Sequence, residues 1–338
     1  MHRFGFYLTL VSVTALAQLT ACGGAGSPVA PPAGVSAAAP AIHGGATKGY
    51  DGIVFVSDED DNTVWISPAN EGDIRRGFLP PTGQLSGVSD PAQMAVDAQG
   101  TLYVANAQTD ASGAGEIAEY PRGTTLPARM LKTGLNTTTG VAVDSSGTVY
   151  ASNKYWGSIV LFPKGKSAPS ETIKKNLSGP DGLSVDKTGD LFIADSSAND
   201  VLELMHGSKT PQSLHLKGLG RPVGVALDRR GNLFVSNYLG ASSNVTVYAR
   251  GATAPSKTIV VPGPPYNSAS TIAEPMMLSV SNPGDVLIAS APLSLALIGG
   301  QEWFGYTSAI VGYLSGQAQP AWSVYNLLGD DSVFQPAK

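Results

Sequence analysis

The chain has 338 residues and a formal charge of −5, and only 14% of its residues are charged, against about 25% in ordinary globular chains. Its basic pairs, Arg75-Arg76, Lys174-Lys175 and Arg229-Arg230, are scattered and leave no basic stripe, so no nucleic-acid partner is expected. The single cysteine excludes internal disulfides and cysteine-based zinc sites.

The first segment, Met1–Cys22, carries a charge at Arg3, an apolar run from Phe4 to Leu16 and small residues before the cysteine. It reads as a secretory signal, too short and poorly flanked to span a membrane. Leu19-Thr20-Ala21-Cys22 resembles the lipobox of bacterial lipoproteins. That resemblance implies removal of residues 1–21 and lipid on the Cys22 thiol, so the membrane is the first expected partner. Each buried CH₂ of such a lipid adds about 0.8 kcal/mol of membrane affinity. The expected location is the bacterial cell envelope, and Gly23 after the cysteine implies the outer membrane in a diderm host. Residues 22–49 hold the lipidated cysteine and a disordered linker of Gly, Ala and Pro. His43 falls in this linker, away from any folded set of ligands.

The folded domain is expected over residues 50–338. It opens with strands at Ile53–Ser57 and Thr63–Ser67 and a third segment at Gly77–Leu79. Between the first two, Asp58-Glu-Asp-Asp-Asn62 has the D-x-D-x-N start of a calcium loop but lacks its glycine and closing glutamate, and it reads as a solvated turn.

A repeat then takes over. Asp97-Ala-Gln-Gly100, Asp144-Ser-Ser-Gly147, Asp186-Lys-Thr-Gly189 and Asp228-Arg-Arg-Gly231 are one turn, with Ser281-Asn-Pro-Gly284 a degraded copy and Asp51-Gly52 the tail of another. The glycines lie 48, 47, 42, 42 and 53 residues apart. Each turn joins two alternating segments into a hairpin; the aspartate bonds the backbone ahead of it and the glycine takes a positive φ. These aspartates are read as structural. A third strand follows, as in Gly115–Tyr120, Ser158–Phe162, Asp200–Leu204, Asn244–Tyr248 and Ile310–Leu314, and a fourth after a proline, as in Pro169–Ile173, Pro255–Ile259 and Pro320–Tyr325. Four short strands per roughly 45 residues make a propeller blade. The first strand of each unit alternates small with large residues (Ala95, Ala142, Ser184, Ala226 and Ser279 between larger neighbours), as a crowded innermost strand requires. The fold class is therefore all-β, a six-bladed β-propeller of four-stranded blades.

The first unit lacks its innermost strand. Two readings of the tail stand: Ser332-Val333-Phe334 supplies that strand and closes the ring, which removes unpaired edges, or Asp330–Lys338 frays.

Strand direction places the loops entering each first strand and leaving each second strand on one face. That face collects an inner ring of Gln93, Thr139, Asp181, Val223 and Glu274, and an outer ring of Asp58, Asn106, Asn153, Asp195, Asn237 and Ser290. The outer ring either lines a polar mouth or caps strand ends, as Asn and Asp commonly do. Two loops on this face are long, Pro262–Pro275 and Ala291–Ser308, and long loops on a rigid scaffold tend to carry binding residues. Trp303 and Tyr306, with Tyr155, Trp156 and Tyr238, either stack on a ligand such as a sugar or cover the blade beneath.

The pattern from Gly182-Leu-Ser-Val-Asp186 through Asp190-Leu-Phe-Ile-Ala-Asp195 resembles the NHL-repeat propellers, over roughly residues 52–325. The outline is similar to two enzyme families of that architecture. The gluconolactonase-type lactonases hold a divalent cation on the axis. Pro180-Asp181-Gly182 and Glu274-Pro275 resemble two of their ligand segments, while Thr138-Thr139-Gly140 stands where a third would carry asparagine. The virginiamycin-type lyases rely on a histidine base, and here His206 and His215 lie away from the mouth. No other catalytic constellation is present. The expected function is an envelope-anchored binding or scaffold module for a protein, glycan or small ligand, with no cofactor. The alternative is a metal-dependent hydrolase or lactonase with one divalent cation such as calcium on Asp181 and Glu274.

Overall fold

The computed structural model describes residues 52–58, 62–69, 82–110, 112–239 and 243–260, and strands at 275–280, 286–290, 293–298, 309–313 and 322–325. Among the described residues every regular element is a strand, and the strands form six four-stranded antiparallel sheets. The first sheet holds β1 (Gly52–Asp58), β2 (Thr63–Ala69) and β3 (Gly83–Gln84). The second is β4 (Pro91–Val96), β5 (Leu102–Asn106), β6 (Glu116–Tyr120) and β7 (Arg129–Leu131). The third is β8 (Thr138–Val143), β9 (Val149–Asn153), β10 (Ser158–Phe162) and β11 (Glu171–Ile173). The fourth is β12 (Pro180–Val185), β13 (Leu191–Asp195), β14 (Asp200–Leu204) and β15 (Gln212–Ser213). The fifth is β16 (Pro222–Leu227), β17 (Leu233–Asn237), β18 (Asn244–Tyr248) and β19 (Lys257–Val260). The sixth is β20 (Pro275–Val280) and β21 (Val286–Ser290), followed, after β22 (Leu293–Ile298), by β23 (Ala309–Tyr313) and β24 (Trp322–Tyr325).

Strand β22 belongs to the first sheet. It pairs antiparallel with β1, from Ile53 opposite Ile298 to Asp58 opposite Leu293. The inner strands β22, β4, β8, β12, β16 and β20 then touch one another in cyclic order, so the sheets form a closed ring around one axis, a β-propeller. This corrects two expectations. Ring closure comes from a segment read as part of the long Ala291–Ser308 loop, and Ser332–Phe334 lies outside the described residues. The cause is visible in Leu293–Ile298 itself, where Ser294 and Ala296 alternate with leucines as the small residues of the other inner strands do.

The repeated turn forms for the reason its residues suggest. Asp97 Oδ1 accepts the backbone N–H groups of Gln99 at 2.9 Å and Thr101 at 2.8 Å, and Asp144, Asp186 and Asp228 repeat the pair. The turn glycine has a second duty. The basic residue two positions past the third strand lies across it, and a Cβ would stand 3.0 Å from Arg122 Cδ at Gly100 and 2.7 Å from Lys164 Cδ at Gly147. His206 covers Gly189 and Arg250 covers Gly231 in the same way. With φ of +83° to +89° at the first three of these glycines, the backbone favours glycine, and any Cβ there would also displace the side chain that lies across it.

Between sheets the core is apolar. Tyr103, Ile117 and Leu131 of the second sheet meet Val141, Val149 and Phe162 of the third, all buried. The third-strand tyrosines also tie down the connection entering their sheet: Tyr120 donates to Ser86 O at 2.9 Å, and Tyr248 to Lys217 O at 2.7 Å.

Asp144 gives this turn a pH signature. Burial pushes its carboxyl up, but hydrogen bonds from Ser146, Thr148 N–H and Tyr150 O–H outweigh that and hold it below the ordinary 3.8. A carboxyl depressed in the folded state stabilises above its unfolded pKa of about 3.9, and the contribution disappears as pH falls through the folded value. Asp144→Asn is therefore expected to unfold more easily than the parent at pH 7, with the gap narrowing below about pH 4. Unfolding midpoints measured from pH 7 down to acid check this; a gap that is constant with pH refutes it.

Candidate functional site

Five of the inner strands, β4, β8, β12, β16 and β20, start with a β-bulge, whereas β22 pairs with β1 in unbroken register. The register shifts between Pro91 and Met94, Thr138 and Val141, Pro180 and Leu183, Pro222 and Gly224, and Pro275 and Met277. A bulge turns one or two residues out of the ladder and frees backbone groups. Here it re-aims the inner-ring positions Gln93, Thr139, Asp181 and Val223 at one end of the propeller. Gly140, Gly182 and Gly224 inside otherwise regular strands were the sequence signal for it.

The freed groups find partners across the axis. Gln93 Oε1 accepts the N–H of Val141 at 3.1 Å and of Leu183 at 2.9 Å, while its Nε2 donates to Leu183 O at 2.8 Å. One buried glutamine thus joins the second, third and fourth sheets. Gly140 N–H goes to Ser152 Oγ at 2.6 Å. Asp181 is buried, and its Oδ2 lies 2.5 Å from Lys154 Nζ, which comes from the end of β9 in the neighbouring sheet. Lys154 was not singled out in the sequence. Its signal was a long cationic side chain directly after the outer-ring residue Asn153, one sheet before Pro-Asp-Gly. An ammonium already compensates the Asp181 carboxylate, so a dication there would have to displace it. Among the described residues no group of three His, Cys, Asp or Glu side chains is gathered as a metal set.

The outer ring is not the ligand-facing set that its position on this face suggested. Asn106, Asn153, Asp195 and Asn237 are fully buried, and their polar atoms hold the loop that enters their own sheet. Asn106 Oδ1 accepts Ser89 N–H at 3.3 Å and its Nδ2 donates to Glu116 Oε1 at 3.0 Å. Asn153 accepts Asn136 N–H at 2.9 Å and donates to Gly134 O at 2.7 Å. Asp195 accepts Ser178 N–H at 2.7 Å and Gly179 N–H at 2.8 Å. Asn237 accepts Gly220 N–H at 3.0 Å and donates to Thr246 Oγ1 at 2.9 Å. These loops carry orphan backbone donors, and a buried amide or carboxylate satisfies them. Asn62, the last residue of the D-x-D-x-N run, accepts Asp90 N–H at 2.6 Å and so serves the next sheet's entry loop.

What this face does present is aromatic. Tyr155 and Trp156, in the turn between β9 and β10, are 75% and 53% exposed and follow Lys154 directly. Tyr238 is half-buried, with the Arg221 guanidinium 4.8 Å from its ring centre, an arrangement that favours the cation. Glu274, Trp303 and Tyr306 lie outside the described residues. His206 and His215 take no part: His206 covers a turn glycine on the opposite face, and His215 Nδ1 lies 3.2 Å from Ser213 Oγ.

No protein-family model matches the chain, and no curated protein matches it in sequence. Solved structures match in fold. A chain of the nidogen/laminin complex superposes with a TM-score of 0.60 at 12% identity, covering 81% of this chain and 93% of that one. A catalytically inactive virginiamycin B lyase from Staphylococcus aureus, solved with quinupristin, gives 0.52 at 10% identity over 83% and 86%. A 6-phosphogluconolactonase-like protein from Bacteroides uniformis gives 0.54 at 12% over 84% and 95%. The chain is a β-propeller similar in fold to these three.

Proposed function

We propose that this chain is a binding or scaffold module of the bacterial cell envelope, held to the membrane by lipid on Cys22, which takes a protein, glycan or small ligand on the face carrying Tyr155 and Trp156. The observation that carries this reading is the contrast on that face. Gln93, Asp181 and Lys154 are occupied with one another's sheets, while two large aromatic side chains stand exposed side by side. Exposed rings on a rigid scaffold suit stacking on a sugar or an apolar side chain. A propeller of the same fold occurs in the nidogen/laminin complex, which agrees with such a role.

The competing reading is a lactonase or other hydrolase with a divalent cation on Asp181 and Glu274. It is favoured by the Pro-Asp-Gly segment, which the bulge turns toward the axis end, and by the lactonase-like fold neighbour. Elemental mass spectrometry of the purified chain, followed by lactone and ester hydrolysis assays, separates the two. The binding reading expects no stoichiometric divalent ion and no turnover. About one calcium or other dication per chain, lost together with lactone hydrolysis in Asp181→Ala, would overturn it.

A further inference from the structure

A cleft of about 730 Å³ opens between the fourth and fifth sheets, on the side of the Asp-x-x-Gly turns and away from the aromatic face. Its volume is that of pockets that take drug-sized ligands. Leu214, Leu216 and Leu227 give it an apolar floor. One wall is acidic on balance, with Asp186, Asp190 and Glu203 against Lys187, and the other basic on balance, with Arg229, Arg230 and Arg250 against Asp228, whose carboxylate is taken up by Arg230 N–H and Asn232.

The two kinds of acid differ. Asp186 and Asp190 are committed to the turn: Asp186 accepts from Thr188 and Asp190 N–H, and Asp190 from His206 N–H at 2.7 Å. Among the described residues no hydrogen bond or ion pair reaches the Glu203 carboxylate. The repeat supplies its own comparison. Glu119 occupies the matching position of β6, opposite Tyr103 as Glu203 is opposite Phe192, and Arg129 on β7 grips it through Nε at 2.8 Å and through Nη2. On β15 the residue facing Glu203 is Gln212, which brings no charge. Glu203 thus stands half-buried without its cation, and burial, reinforced by Asp190 and Asp186, pushes its carboxyl up. The opposite wall is equally particular. The matching turns of the second and third sheets read Ala-Gln and Ser-Ser, whereas this one supplies Arg229 and Arg230.

A purely anionic ligand would meet the Glu203 wall, and a purely cationic one would meet the arginines. We infer that the cleft between the fourth and fifth sheets is a second binding site, for a short peptide segment that carries a basic side chain at one end, an acidic one at the other and apolar residues between. The basic end lies against Glu203, the acidic end against Arg229 and Arg230, and the apolar part on the leucine floor. This rests on the binding-module reading and places a site on the face opposite the aromatics.

The test is calorimetric titration of the detergent-solubilised full chain with acetyl-Lys-Leu-Tyr-Leu-Glu-amide, and with analogues in which norleucine replaces the lysine or glutamine the glutamate. The mixed-charge peptide is expected to bind, each analogue at least about tenfold more weakly. Glu203→Gln should erase the preference for lysine, and Arg230→Gln should weaken the preference for glutamate. Both side chains reach solvent, so these variants are expected to fold, which circular dichroism verifies. No heat at millimolar peptide, or equal binding of all three peptides, overturns the proposal. Those results leave metal content and lactone turnover untouched, so failure here is distinguishable from failure of the binding-module reading.

Discussion

Gln93→Leu is expected to lower the unfolding free energy by about 4 kcal/mol, because it strands two buried N–H groups and one carbonyl at about 1–3 kcal/mol each. Leucine keeps most of the volume, so the loss reports the hydrogen bonds rather than a cavity. The stranded groups are Val141 N–H, Leu183 N–H and Leu183 C=O, which belong to two different sheets. Gln93→Glu retains an acceptor for both N–H groups but sets a carboxylate against Leu183 O. It should also destabilise, and more so above pH 5 than in acid, where the carboxyl gains a proton to donate. Urea titration of parent and variants measures both. A loss below about 1 kcal/mol for Gln93→Leu would show that the three sheets do not depend on this link.

Gly140→Ala carries the second large effect, about 3 kcal/mol or more, through a collision rather than a lost bond. A Cβ at Gly140 would stand 2.1 Å from the carbonyl oxygen of Asp181 and 2.7 Å from Ser152 Oγ. The first is backbone of the neighbouring inner strand and has nowhere to go in a closed ring. Gly134→Ala is the control. Gly134 has φ of +79° but nothing within 4 Å of an added Cβ, so only left-handed strain of about 1–2 kcal/mol is expected there. Thermal unfolding of the two variants separates close approach from strain. Equal losses would mean that β8 and β12 are not pressed together as described.

Both effects arise at the bulged start of the inner strands, where Asp181 also sits, paired with Lys154 from the end of β9. Shape and charge at that end of the axis are therefore set by the same residues that hold neighbouring sheets in place. Substitutions at Gln93 or Gly140 are poor probes of ligand binding, since they disturb Asp181 through the backbone. Tyr155 and Trp156 on one face, and Glu203 and Arg230 on the other, are exposed or half-buried and free of such duties, so they report on binding without that confusion.

Much of the propeller was legible in the chain because its chemistry is short-range. An aspartate that bonds N–H groups two and four residues ahead, and a glycine that takes φ near +80°, depend on no distant partner. The period, the hairpins and the small residues of the inner strands could be read the same way. Four structural decisions were not of that kind. Ser332–Phe334 was the candidate for the missing inner strand and Leu293–Ile298 was read as loop, because only the edge of β1, some 240 residues earlier in sequence, recruits the latter as a strand. The bulges left a trace as glycines in strands, but where the freed N–H groups go depends on a glutamine up to 90 residues away. Asn106, Asn153, Asp195 and Asn237 suit either a polar mouth or a set of caps, and their burial and their hydrogen bonds to the entry loops select the caps. Asp181 and Glu203 are both carboxylates in a sequence that does not distinguish them. Lys154 compensates the first, and Gln212 across the strand leaves the second without a cation. The sequence determines which charges exist; only the packing of sheet against sheet decides which of them remain for a ligand, because a charge is spent or spared by whatever stands within a few ångströms of it.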